Sequence, residues 1–169
     1  YNGGGAAIID IFYVRFYKCI FHSNSAKLQG GAISSENIKH FVVSACVFIH
    51  QSSSGPGGAI HSDDDRKITC VDSYFQSNTA SKAGCAYIYG SQASLKSTFN
   101  NNTFKYNTAS RGPGCVRIFL YKRVNLSNSL LLGNEAMARS GGAIEVENVE
   151  VLILVRSEFL NNSAISSHG

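Results

Sequence analysis

The chain has no tryptophan, one methionine and two prolines, and charged residues make up only 15% of its 169 positions, well below the roughly one quarter usual for globular domains. No uninterrupted apolar run is longer than the five residues of VLILV (151–155), far short of the ~20 that a membrane-spanning helix needs. No stretch carries the 3.6-residue apolar stripe of an amphipathic helix, which excludes helical repeats. There is no C-x-x-C and no Cys/His cluster of the kind that holds zinc. The net charge of +4, read as small and spread along the chain, does not indicate nucleic acid as a partner. With neither an initiator Met nor a charged-then-apolar leader, any signal peptide is expected to have been removed or to lie outside this window. What is plentiful is Gly (16 residues), Ser and Asn, beside 44% apolar residues. That is the composition of one turn-rich β domain with a continuous core.

The chain repeats itself. GGAI occurs at 30–33, 57–60 and 141–144, and a recurrent phrase runs FHSNSAKLQGGAI, FIHQSSSGPGGAI, FQSNTASKAGCAY, FKYNTASRGPGCV, LLGNEAMARSGGAI and FLNNSAISSHG. Its first position is Phe21, Phe48, Phe75, Phe104, Leu131 and Phe159, in steps of 27, 27, 29, 27 and 28. Three residues on stand Asn24, Gln51, Asn78, Asn107, Asn134 and Asn162, and two further on Ala26, Ser53, Ala80, Ala109, Ala136 and Ala164. The glycine position reads Gly5, Gly31, Gly58, Cys85, Gly114, Gly142 and Gly169.

Seven and five residues before each Phe position are pairs such as Val14 and Phe16, Phe41 and Val43, and Val124 and Leu126. A spacing of two marks a strand with one buried face. Each repeat is therefore expected to hold two or three short strands separated by turns, and such a unit buries its apolar side only by stacking on its neighbours. The economical solution is a right-handed parallel β-helix of about six coils, roughly 29 Å long at about 4.8 Å per coil. Phe then stacks on Phe inside. Asn stacks on Asn at a bend, bonding to the next coil and tolerating left-handed φ. Gly-Gly lets the chain pass close to itself. A leucine-rich repeat shares the period, but L-x-x-L-x-L occurs in none of the repeats.

Phe21 to Asn24 together with Gly30 to Ile33, recurring in phase, resemble the FxxN and GGA(I/L/V) repeats of polymorphic outer-membrane proteins. These are the autotransporter-like surface adhesins known from chlamydiae, and similar repeats occur in large surface proteins of other bacteria and of protists. The resemblance covers essentially the whole chain, although Gln51, Leu131, GCAY (84–87) and PGCV (113–116) depart from the pattern. It implies a right-handed parallel β-helix, a cell-surface location and adhesion. Both motifs are structural parts of a coil and neither is a catalytic signature. The family's C-terminal translocator barrel has no counterpart in these residues.

Each candidate site also has a structural reading. Cys70, Cys85 and Cys115 read as small core residues. Cys19 and Cys46 each stand two places before the Phe position, so they stack on adjacent coils and are the pair open to a disulfide. HSDDDRK (61–67) is the one acidic run, read as a solvated turn whose charge Arg66 and Lys67 offset. Glu145 and Glu147 share a strand face, with Glu145 above Arg117 in a surface ion pair. The histidines, at 22, 40, 50, 61 and 168, share no column. Of five Thr only Thr79 and Thr108 are expected to stack, too few for an ice-binding face. N-x-(S/T) at Asn101, Asn125 and Asn161 permits N-glycosylation, and Asn125, between inward Val124 and Leu126, should point outward.

The expectation is a single β-helix domain over 1–169, a piece of a longer solenoid or a stacking fibre unit, with no cofactor. It would be a non-enzymatic extracellular or cell-surface protein, an adhesin stalk or fibre subunit. Its partner would be a surface receptor or glycan, or another copy end to end. The alternative is a polysaccharide lyase or hydrolase on the same scaffold, which would need a groove of long loops where repeat lengths here vary by two residues.

Overall fold

The computed structural model describes residues 2–91, 96–138 and 140–165; Gly169 and His168 lie outside the described residues. The described chain is all β, without helix, and climbs as a parallel β-solenoid of about six turns. Each turn lays down four strands, and equivalent strands pair in parallel into four six-stranded sheets. The first sheet holds Ala6–Ile9, Ile33–Glu36, Ile60–Asp63, Ala86–Tyr89, Val116–Phe119 and Ile144–Glu147. The second holds Tyr13–Tyr17, His40–Ser44, Lys67–Val71, Lys96–Asn100, Arg123–Ser127 and Val151–Val155. Three-residue strands such as Val47–Ile49 and Tyr74–Gln76 make the third sheet, which carries the Phe position, and two-residue strands such as Thr79–Ala80 make the fourth. Two or three strands per repeat were expected. The fourth has only two residues per coil, too few to display a period of two.

The register is the one that the repeats dictate. Phe21, Phe48, Phe75, Phe104, Leu131 and Phe159 pair in a single column, and the first four rings stack at 4.8, 4.7 and 5.0 Å between centroids. Phe48, Phe75, Phe104 and Leu131 are wholly buried. The paired apolar positions of the second sheet, Phe41 and Val43 through Val124 and Leu126, line the opposite wall of the same core.

The bends follow one rule. Besides Gly30 (65°), three residues of the second coil adopt positive φ, Asn37, Ala45 and His50 (53°, 53° and 56°), one at each of three bends. The residue after each, here Ile38, Cys46 and Gln51, is buried. This corrects the expected placement of left-handed φ on the Asn column: it falls one residue earlier, on Ser23, His50, Ser77, Tyr106, Gly133 and Asn161. One left-handed residue reverses the side-chain alternation, so the Asn that follows points inward.

The glycine column also differs from expectation. It runs Gly4, Gly31, Gly58, Gly84, Gly114 and Gly142, because a Cβ on each of the first five would strike the backbone carbonyl of the next, at 2.0 Å for Gly58 against Gly84. Gly5 and Cys85 belong instead to the following column, with Ala32, Ala59, Cys115 and Ala143. The shift reflects alignment on the Phe, which misplaces the next landmark where turns differ in length.

Candidate functional site

The chemistry of this chain is concentrated in ladders that climb its bends. In the Asn ladder each carboxamide oxygen accepts the backbone N–H of the equivalent residue one coil earlier: Asn24 to Gln51 at 3.1 Å, Gln51 to Asn78 at 2.9 Å, Asn78 to Asn107 at 3.0 Å, Asn107 to Asn134 at 3.1 Å and Asn134 to Asn162 at 3.0 Å. Each carboxamide nitrogen from Gln51 onward donates to the carbonyl of the Phe position in the coil before, at 2.8 to 3.2 Å. Gln51 serves in place of Asn because its longer arm also reaches the carbonyl of Ile49, at 2.6 Å. Gln51, Asn78, Asn107 and Asn134 are fully buried. Burying such amides costs free energy only where bonds are missing, and here they are made.

A second ladder went unrecognised in the sequence. The backbone N–H of Cys46 bonds to Ser73 Oγ, that of Ser73 to Asn102 Oδ1, that of Asn102 to Ser129 Oγ, and that of Ser129 to Ser157 Oγ, at 2.9 to 3.3 Å. Every member follows a left-handed residue. Cys19 and Cys46 occupy its first two places. Both are free thiols in the structure, as are the other three cysteines, so the bridge entertained between them is not formed. Their sulfurs lie near the last carbonyl of the strand before, Cys19 by Tyr17 at 3.5 Å and Cys46 by Ser44 at 3.3 Å. Burial pushes the Cys46, Cys70 and Cys85 thiols up. Cys85 and Cys115, neighbours in the buried Ala column, bring their sulfurs to 3.1 Å.

The third bend corrects the reading of the acidic run. Asp65 is wholly buried. Its carboxylate accepts from Ser35 Oγ at 2.5 Å, Ser62 Oγ at 2.8 Å and the Ile38 backbone N–H at 2.8 Å, while its carbonyl accepts from Tyr121 Oη at 2.8 Å. Burial outweighs those bonds and raises the Asp65 carboxyl. Asp63 and Asp64 stay half-exposed, and Asp64 accepts from the Ser91 backbone and hydroxyl. Among the described residues both ion pairs use Arg117, which reaches Glu145 and Glu147 at 3.0 Å each. The expected Glu145 pair is therefore present, whereas Arg66 and Lys67 pair with none of the three aspartates.

On the outer surface of the first sheet His61 is 5% exposed, stacked on Tyr87 at 5.6 Å with Nδ1 unpartnered; burial lowers it to about 4. Thr69 and Thr98 stack as well as Thr79 and Thr108, so the expected count of Thr ranks was short by one. Of the sequon residues, Asn101 and Asn161 are exposed. Asn125 faces outward but is half-buried, with Oδ1 covered and unpartnered.

The positive charge is not spread out. Lys39, Arg66 and Lys122 hold equivalent places at the bend from the first to the second sheet, and Lys67, Lys96 and Arg123 follow them in register. All six are exposed.

No family model, curated protein or solved structure matches the chain.

Fold and site therefore rest on the residues themselves. Among the described residues no three His, Cys, Asp or Glu side chains gather as a metal would require, and no helix is long and apolar enough to cross a membrane.

Proposed function

We propose that the protein is a non-enzymatic extracellular or cell-surface β-solenoid, an adhesin stalk or fibre subunit, as its resemblance to polymorphic outer-membrane proteins implies. The observation that carries this reading is where the distinctive side chains go. The Phe, Asn and small polar columns bond coil to coil, so the repeat specifies a rod whose stability is a sum of nearest-neighbour interfaces.

The apolar columns run on into the last described coil. Phe159, Leu152 and Leu154 are 41%, 44% and 47% exposed, while Phe104, Val124 and Leu126 at the same column positions are at most 5% exposed. A further coil stacked there, from the same chain or a second copy, would bury them and pair the open strand edges. A polysaccharide lyase or hydrolase on this scaffold is the competing function.

Protease shaving of intact cells that make the protein tests the location: release of fragments without lysis is expected, and full protection would overturn it. Electron microscopy of the natural protein over a range of concentrations tests the form. Filaments with a repeat near 29 Å, six coils at about 4.8 Å, would make it a fibre subunit; rods of fixed length would make it a stalk.

A further inference from the structure

The six exposed cations described above form one ridge. Two adjacent outward columns run along the bend: Phe12, Lys39, Arg66, Lys122 and Glu150 mark the first, and Tyr13, His40, Lys67, Lys96, Arg123 and Val151 the second. From the second coil to the fifth, the described positions of both columns hold no carboxylate. Spanning three coil-to-coil steps, the ridge is about 14 Å long. Among the described residues none of its six cations makes an ion pair; Lys39 alone has a recorded partner, the ring of Phe12 at 4.4 Å.

The ground beside the ridge is biased in the same direction. The six strands of the second sheet contain no Asp or Glu. The next outward column offers Thr69, Thr98 and Asn125, and the one after it Asn100 and Ser127. Carboxylates lie across the bend, on Glu36, Asp63 and Asp64, and Glu150 closes the upper end. They bar one flank and leave the ridge open toward hydroxyls and amides. Stacking like charges in register costs stability through mutual repulsion, and among the described residues no ion pair offsets it. An anion lying along the ridge would.

We propose that this bend binds a linear sulfated polysaccharide laid along the solenoid axis, its sulfates on Lys67, Lys96, Arg123 and their neighbours and its hydroxyls over Thr69, Thr98 and Asn125. Single-stranded nucleic acid is the other linear polyanion, but its recognition uses aromatic rings on which bases stack. Its rings, Phe12, Tyr13 and His40, stand together at the lower end, and the described positions from Arg66 to Arg123 carry none. The proposal supplies a ligand for the adhesive reading and rests on it only for where the ligand is met. Failure of binding leaves the shaving result untouched, and the reverse holds too.

The test is binding of the whole chain to immobilised heparin, with uncharged dextran and a single-stranded oligonucleotide of matched charge for comparison. Heparin should bind with a log–log salt slope of about −2 to −4, at roughly 0.7 to 0.9 for each of three or four neutralised sulfates. The triple variant Lys67→Gln, Lys96→Gln, Arg123→Gln should lose about 30-fold in affinity, roughly threefold for each exposed contact. Lys27→Gln, Lys82→Gln, Arg156→Gln removes equal charge from elsewhere on the exposed surface and should lose less than about threefold. Both triples must keep the parent's circular dichroism and a urea midpoint no lower than the parent's, which separates lost binding from lost folding. Equal losses in the two triples, tighter binding of the oligonucleotide, equal binding of dextran, or no binding of heparin by the parent would each overturn the proposal.

Discussion

Replacing Asn107 by Ala should remove one rung of the buried ladder while leaving the backbone and the Phe column in place. Asn107 is wholly buried. Its Oδ1 accepts from the backbone N–H and from Nδ2 of Asn78, both at 3.0 Å, and its Nδ2 donates to the Phe75 carbonyl at 3.2 Å and to Asn134 Oδ1 at 2.9 Å. After the substitution Asn78 Nδ2 keeps the Phe48 carbonyl and Asn134 Oδ1 keeps the residue 107 N–H. The Asn78 N–H and the Phe75 carbonyl lose these bonds in a dry interior, at about 1 to 3 kcal/mol each. The expected loss is roughly 3 to 5 kcal/mol, which at about 2 kcal/mol per molar shifts the urea midpoint by about 2 M. Urea unfolding followed by circular dichroism measures it, with the slope compared between variants because a solenoid can unfold in parts. Asn107→Asp should be no better, since it sets an oxygen against the Phe75 carbonyl and Asn134 Oδ1. Exposed Ser110→Ala on the same coil should stay within about 0.5 kcal/mol. If Asn107→Ala cannot be told from Ser110→Ala, the ladder does not hold the coils together.

Three further outcomes follow from burial. The raised Asp65 carboxyl means that the folded chain holds its proton more tightly than the unfolded chain; the resulting stability is complete below about pH 4 and is lost as pH rises through the folded value. Asp65→Asn should therefore gain on the parent as pH goes from about 4 to 7, read from urea midpoints, and a constant difference would refute it. His61, lowered to about 4, has the opposite sign: its contribution is complete above the unfolded value near 6.5 and is lost as pH falls toward 4. An NMR titration should find the His61 ring neutral down to that value, and a midpoint in the ordinary range would mean that the ring is solvated. Native-state labelling with a thiol reagent should modify half-buried Cys19 first and spare Cys46, Cys70, Cys85 and Cys115 until unfolding; five equally fast thiols would contradict the buried columns.

The Phe, Asn and Ala columns were legible in the sequence because one residue type recurs in phase, and identity at a fixed period survives a few substitutions. The second ladder was not, because Cys46, Ser73, Asn102, Ser129 and Ser157 share a position and, from Ser73 on, an acceptor role, but not a residue type. Asp65 was hidden inside a run of three aspartates that looks solvated; only the left-handed φ of Asp64, 54°, turns the next side chain inward. The cationic ridge was invisible to a net charge, since its members lie 27 to 29 residues apart in sequence and meet only once coils stack. Cys85 was misplaced by one because the turn before it was aligned on the Phe. The functional expectation came only from the resemblance of FxxN and GGAI, because the repeated residues are spent on stacking.

Every column depends on the in-register stack of coils, and nuclear Overhauser contacts between the rings of selectively labelled phenylalanines test that most directly. The predicted result is a chain of contacts from Phe21 to Phe48, Phe48 to Phe75 and Phe75 to Phe104, as centroid separations of 4.8, 4.7 and 5.0 Å require, with none from Phe21 to Phe75 or from Phe48 to Phe104. Missing neighbour contacts, or contacts that skip a coil, would contradict the solenoid and everything built on its columns.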